Sequence, residues 1–292
     1  MTDTDKTDRP LLDVENLCVR FHTRTKIVEA VRGISFTLGR ERLGIVGESG
    51  SGKSMTGRAI LRLIQPPGEV SADRLLVNGE DMLSASDARL RKLRGRHVSM
   101  IMQDPKYSLN PVMSVGQQMV ETLRVHERIS GSAARARARE MLDEVAIRDP
   151  DRVMKLYPHE VSGGMGQRIM IAMMLLPRPE VLIADEPTSA LDVSVQLQVL
   201  EIMDKLVRDR GMGLVFISHD LNLVAKFCDR IVIMYAGRIV ETCKASELRN
   251  ATHPYTLGLL NSVPNLETPR ARLEVLARDP SWREAPSVSA RL

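Results

Sequence analysis

Gly47-Glu48-Ser49-Gly50-Ser51-Gly52-Lys53-Ser54 is the stretch that decides how this chain is read. It fits the pattern GxxxxGK[ST] in full, and it follows the apolar run Leu43-Gly44-Ile45-Val46, which predicts a buried strand. A helix is expected after it. Glycines in such a turn let consecutive backbone N–H groups point at phosphate oxygens, at the positive end of the following helix. Lys53 adds a point charge for the terminal phosphates, and the Ser54 hydroxyl is placed to ligate Mg²⁺. The competing reading is a chance glycine turn before a helix. It requires strand, glycines, lysine and serine to fall into register by accident.

Outward from this loop, the first third of the chain reads as strands. Leu12–Phe21 and Ile34–Leu38 alternate like half-buried strands, Leu75-Leu76-Val77 leads into an Asn78-Gly79 hairpin turn, and His97–Met102 is another short strand. From Val115 to Met154 helical spacing takes over, as in Val115, Met119, Leu123 and then Ala138, Leu142, Val145. Polar joints fall at Ser130-Gly131-Ser132 and Asp149-Pro150-Asp151. A helical insertion of roughly 105–168 within an α/β core accounts for this texture. The core resumes with Val181–Ala184 and Leu214–Ile217, apolar enough for parallel strands covered on two faces. Val195, Val199, Met203 and Leu206 supply a crossover helix between them. A last hairpin, Ile231–Tyr235 and Arg238–Glu241, turns at Ala236-Gly237. The tail has one helix-like stretch around Tyr255–Leu260, then thins into Pro, Arg and Ser, and is expected to be poorly ordered at its end.

Polar residues at predicted strand ends carry the chemistry. Asp185 ends the apolar strand Val181–Ala184, well placed to hold Mg²⁺ directly or through water, and Glu186 follows at once. Adjacent carboxylates at a hydrolytic site divide the work, one on the metal and one deprotonating water. An acidic pair capping a helix is the alternative. Gln103 follows the strand Val98–Met102, and His219 follows Leu214–Ser218. Each alone reads more readily as structural, but both lie at the carboxyl edge where α/β sheets bind ligands. Ser162-Gly163-Gly164 opens a helical stretch and makes another anion-binding terminus, or simply a flexible cap.

Composition excludes several classes. The 292 residues are 43% apolar and 27% charged, and no apolar run approaches the roughly 18 residues of a membrane span. Met1–Pro10 is polar and acidic, not a signal peptide, so a cytoplasmic chain is expected. Cys18, Cys228 and Cys243 are far apart and form no zinc, disulfide or iron–sulfur framework. The net charge is only +4 and aromatics are 3%, so the basic runs Arg89–His97 and Arg135–Arg139 lack the stacking platforms of a nucleic-acid surface. They read as solvated helix faces, with contact to anionic lipid as the lesser reading.

In this order, these residues resemble the ATP-binding cassette family over about 11–245. Gly47–Ser54 is similar to its Walker A loop, Gln103 to its Q-loop, Val161-Ser162-Gly163-Gly164-Met165 to its LSGGQ signature and Leu182–Glu186 to Walker B. Ser189-Ala190-Leu191-Asp192 resembles the D-loop and His219 the switch histidine, while the adenine-stacking aromatic falls near Phe21. The signature departs from LSGGQ at Val161 and Met165 but keeps Ser162 and both glycines. The resemblance implies a P-loop α/β cassette with a RecA-like core, an antiparallel β-subdomain and the helical insertion. A polar tail (1–10) precedes it and an extension (246–292) follows. It also implies ATP and Mg²⁺ as ligands, the metal on Ser54, Gln103 and Asp185, with Glu186 as base and Gln103 and His219 sensing the γ-phosphate. Two cassettes, identical or paralogous, would then sandwich each ATP between one P-loop and the partner's Ser162-Gly163-Gly164, with Asp192 close by.

A narrower resemblance, to ATPases of dipeptide and oligopeptide importers, rests on three features. They are Gln103-Asp104-Pro105 with Ser108-Leu109-Asn110-Pro111, the SGGM signature, and a tail containing His253-Pro254-Tyr255-Thr256 and Leu259–Pro264. It implies two membrane-embedded permease subunits that push on Asp104–Pro111, a periplasmic solute-binding protein, and a place on the cytoplasmic face of a bacterial inner membrane. Nickel importers and a carbon–phosphorus lyase accessory protein share much of the pattern. Many peptide-importer ATPases carry an iron–sulfur cysteine cluster in the tail, and here no cysteine follows Cys243.

Overall fold

The alternation at the start of the chain produces β1, Leu12–His22, in a computed structural model that describes residues 9–103, 108–189, 191–262 and 278–291. Leu12 and Val14 point inward, then Leu17 and Val19, so the buried phase slips by one residue. A bulge between Val14 and Leu17 absorbs the slip, with Asn16 at a φ of 52°.

The chain divides into two compact units, Met1–Ser84 with Val215–Leu292, and Ala85–Leu214. In the first, β1 pairs antiparallel with β2 (Ile27–Leu38), β4 (Gly68–Ser71) and β5 (Arg74–Val77). Asn78 and Gly79, both at positive φ, turn β5 into β6 (Glu80–Asp81), as the Asn-Gly pair predicts. A second sheet has the order β11-β10-β3-β9, with β3 at Arg42–Val46, β10 at Arg230–Tyr235 and β11 at Arg238–Lys244. β9 (Gly213–Ser218) enters this unit at Val215. β3 and β10 run parallel, and every residue of β9 and β10 is buried, as is all of β3 but Arg42. Continuous burial, not alternation, is what a sheet covered on both faces requires. α1 (Lys53–Ile60) follows β3 through the glycine loop.

The second unit opens with α2 (Asp87–Arg96), interrupted where Gly95 takes a φ of 85°. β7 (Val98–Ile101) and β8 (Val181–Asp185) pair in parallel, Val98 opposite Val181. Between them run α3 (Val115–His126), α4 (Gly131–Glu144), α5 (Pro150–Val153) and α6 (Gly163–Leu175); α7 (Val193–Arg210) follows β8. The polar joints are helix caps. Ser114 and Gln117 form a reciprocal box on α3, while Ser130 and Asp149 cap α4 and α5. Val115, Met119, Leu123, Ala138, Leu142 and Val145 are all buried, as their spacing predicts.

The end of the chain departs from expectation. After α8 (Leu221–Phe227) and α9 (Pro254–Ser262), residues 278–291 are built into the first unit. β12 (Ser289–Ala290) pairs with β2, Ala290 opposite Phe36. The buried Arg230 guanidinium donates to the Ala290 carbonyl at 2.7 Å and the Thr37 carbonyl at 2.6 Å, and pairs with Glu41 at 2.6 Å. Trp282 lies edge-on to Tyr235, His253 and Tyr255. These anchors are single residues reaching distant partners, so no local periodicity announces them. Among the described residues, no helix is long and apolar enough to cross a membrane.

Candidate functional site

The loop between β3 and α1 is shaped by backbone crowding. Gly47, Gly50 and Gly52 all have positive φ. A Cβ on Gly47 would lie 2.2 Å from the Met234 carbonyl oxygen, and one on Gly52 would lie 2.5 Å from that of Ala30. Only glycine fits either place. Lys53 is buried, and its ammonium donates to the Gly47 and Glu48 carbonyls at 2.8 and 2.9 Å. No side chain caps α1, and its first turn holds no acidic residue. The loop and Lys53 together form a positive cradle suited to phosphate. Ser51 is buried, whereas Ser49 and Gly50 face outward and Ser54 is half-buried.

His219 stands directly after β9, exposed, and lines a cavity of about 450 Å³ with Gly47, Glu48, Ser49 and Arg278. The structure thus brings His219 and the P-loop to one hollow. Phe21, on the same unit, stands opposite Val28 on β2 and Gly68 on β4. A Cβ on Gly68 would sit 2.8 Å from its ring, so the half-buried ring packs over a glycine.

In the second unit, Asp185 ends β8 and is buried, and Glu186 turns at a φ of 46°. A non-glycine residue held in the left-handed region costs about 1–3 kcal/mol and persists only where its surroundings fix it. Here the Ser189 hydroxyl and N–H donate to the Glu186 carbonyl at 3.1 and 3.3 Å. Gln103 Nε2 donates to Glu186 Oε2 at 3.0 Å, joining two residues that lie 83 apart in sequence. The adjoining Asp104 and Pro105, and Ala190 of the D-loop match, fall outside the described residues.

Ser162 caps α6 by accepting from Met165 N–H, and Ser162 and Gly163 are exposed. Gly164 is required by the chain itself, since a Cβ there would lie 2.9 Å from Val195. Gly163 is not: a Cβ there meets nothing within 4 Å. Asp192 is exposed and caps α7, accepting from Ser194 Oγ at 2.7 Å and Val195 N–H at 3.0 Å. Those bonds, that from Ser194 first, hold its carboxyl below the usual range.

Two residues without a role in the sequence reading touch the P-loop. Glu48 N–H donates to the Tyr255 hydroxyl at 3.0 Å, and the Glu48 carboxylate pairs with Arg278 at 2.9 Å. The His253-Pro254-Tyr255 motif is visible in the sequence, but its target is not.

The pattern of the family described as ABC transporter matches residues 31–189. The chain belongs to the ABC transporter family. This cassette is similar to the oligopeptide transport ATP-binding protein OppD of Bacillus subtilis (strain 168), 48% identical over 261 residues, 88% of this chain and 73% of that one. It is also similar to OppD of Haemophilus influenzae (strain ATCC 51907 / DSM 11121 / KW20 / Rd), 45% identical over 273 residues, 93% and 84% of the two chains. Among solved structures it resembles the dimeric ATP-binding cassette MJ0796 in a post-hydrolysis state bound to ADP and Pi. There the TM-score is 0.70 at 27% identity, covering 80% of this chain and 98% of that one. The expected cassette fold and family are borne out, and the chain is an ATP-binding ATPase.

Proposed function

We propose that this cassette powers uptake of peptides across a bacterial inner membrane by binding and hydrolysing ATP. The hydrolytic reading rests above all on the hydrogen bond from Gln103 to Glu186, beside the buried Asp185. Glu186 is the base that takes a proton from the attacking water, with Gln103 fixing its carboxylate. Gly47, Glu48, Ser49, Gly50, Ser51, Gly52 and Lys53 cradle the phosphates, His219 reports on the terminal one, and Phe21 offers its ring to the adenine. Ser54, Gln103 and Asp185 offer hydroxyl, amide and carboxylate oxygens, a donor set that suits Mg²⁺. Gln103 donates to Glu186 through Nε2, which leaves its Oε1 for that task. Mg²⁺ supplies neutralisation of charge on the phosphate oxygens.

Peptide as the cargo class is supported by the likeness to two proteins named for oligopeptide transport. The partners are a second cassette, two permease subunits and a solute-binding protein, with this chain on the cytoplasmic face. The open space beside Gly163 supports a dimer in which Ser162, Gly163 and Gly164 meet the partner's nucleotide. No iron–sulfur cluster is expected. Cys18, Cys228 and Cys243 lie far apart in sequence, and three cysteines cannot supply the four thiolates that such a cluster usually takes. The test is to purify the intact complex and identify what its solute-binding partner holds. Bound peptide is the expected result; nickel or another small solute would overturn the cargo.

A further inference from the structure

Every polar group of Glu48 is taken. Its N–H donates to the Tyr255 hydroxyl at 3.0 Å, and its carbonyl accepts from Lys53 Nζ at 2.9 Å. Its carboxylate accepts from Arg278 Nη2 at 2.9 Å and Nε at 3.4 Å. Tyr255 and Arg278 come from the two described stretches of the C-terminal extension, and they grip the second residue of the P-loop. Tyr255 is fully buried, its ring centroid 4.6 Å from that of Tyr235 and 6.2 Å from that of Trp282, so the hydroxyl is held in a fixed place. Burial pushes its pKa up to about 12, so it stays a neutral phenol at working pH.

We propose that Tyr255 and Arg278 are positioning residues that set the affinity of the P-loop for ATP by fixing the Glu48 peptide. The inference rests on the reading of this loop as the ATP site. The Glu48 peptide is the link between extension and lysine. Its N–H is anchored by Tyr255, and the carbonyl of the same residue holds the ammonium that serves the phosphates. Free that residue, and both the loop and Lys53 gain conformations that ATP must then remove on binding. These bonds do not depend on how far the reaction has gone. Their loss therefore raises KM and leaves kcat nearly unchanged, the mark of uniform binding.

The full chain is assayed for ATP hydrolysis and titrated with ATP as Tyr255→Phe, Arg278→Ala, Arg278→Lys and Lys53→Ala variants. Tyr255→Phe keeps the ring and deletes one hydrogen bond, so KM and Kd rise roughly 2- to 12-fold with kcat held within about 2-fold. Arg278→Ala, at a half-exposed ion pair, raises KM up to about 5-fold at low salt, and the effect shrinks as salt rises. Arg278→Lys restores most of the loss, because the charge returns. A role in stability alone would lower Tm without moving KM. Unchanged KM in both Tyr255→Phe and Arg278→Ala, or a fall in kcat alone, overturns the proposal. Should Tyr255→Phe fold poorly, the salt-dependent KM of Arg278→Ala decides. If Lys53→Ala weakens ATP binding while the extension variants do not, only this proposal fails. If Lys53→Ala leaves ATP affinity intact, the assignment of the loop fails and the proposal with it.

Discussion

The helix starts at α1 and α6 both carry glycines, but they are built to opposite plans. At α1 the glycines are demanded from inside the chain: Gly47 and Gly52 take positive φ and lie against the carbonyls of Met234 and Ala30. The helix has no side-chain cap, and a buried lysine sits beside it. At α6 a serine caps the helix, Gly163 faces open space, and neither Gly163 nor Gly164 has a positive φ. On the function proposed above, the first serves as an anion site furnished by one chain, and the second as half of one, whose open glycine leaves room for something outside the chain to approach.

Variants can break this contrast at several strengths. Glu186→Gln, which removes the proposed base, is expected to lower turnover by about 10²-fold or more while ATP affinity survives. Steady-state hydrolysis and nucleotide titration check this, and wild-type turnover contradicts it. Lys53→Ala deletes a charge-assisted contact to phosphate, so ATP affinity is expected to fall about 10-fold or more. In stability the two glycine sites should part company. Gly52→Ala forces a side chain into a left-handed position, costing about 1–2 kcal/mol before the clash with Ala30, and thermal melting should show a Tm several degrees lower. Gly163→Ala should melt within about a degree of wild type, since the helix accepts alanine and nothing is struck. A matching drop at Gly163 would mean that the chain itself requires that glycine.

That difference also marks what the sequence discloses. The P-loop is legible because eight consecutive residues carry its geometry, and the buried strands β3, β9 and β10 are legible as apolar runs. The helices of the second unit announce themselves through spacing and serine or aspartate caps. The hydrogen bond from Gln103 to Glu186 is not legible, since it joins the ends of β7 and β8 across 83 positions. Nor is the docking of residues 278–291, where Arg230, Trp282 and Arg278 each act singly at long range. Sequence shows that Ser162-Gly163-Gly164 opens a helix; only the space around Gly163 separates an outward requirement from an inward one.

The smallest expected effect concerns pH at the extension. His253 accepts from the Tyr255 N–H through Nδ1, which requires that nitrogen to be unprotonated. Burial lowers its pKa, against the opposing pull of Glu241, with Trp282 packed edge-on. A histidine with a lowered folded pKa favours folding above the ordinary value near 6.5, and that contribution fades as pH drops below it. Tm should therefore fall more steeply between about pH 7 and about pH 5.5 in wild type than in His253→Gln. Equal slopes would remove His253 from the account.

The most direct test of the shared site is equilibrium sizing of the Glu186→Gln chain with ATP and Mg²⁺, with and without Ser162→Arg. The arginine puts bulk at an exposed helix start and leaves the P-loop untouched, so monomer ATP affinity should persist. In a homodimer the account predicts ATP-dependent dimers in Glu186→Gln that disappear in the double variant; if the partner is a paralogous cassette, the same loss should appear with that cassette present. Dimers that persist unchanged with Ser162→Arg would contradict it, because the start of α6 would then not be the surface that meets the partner's nucleotide.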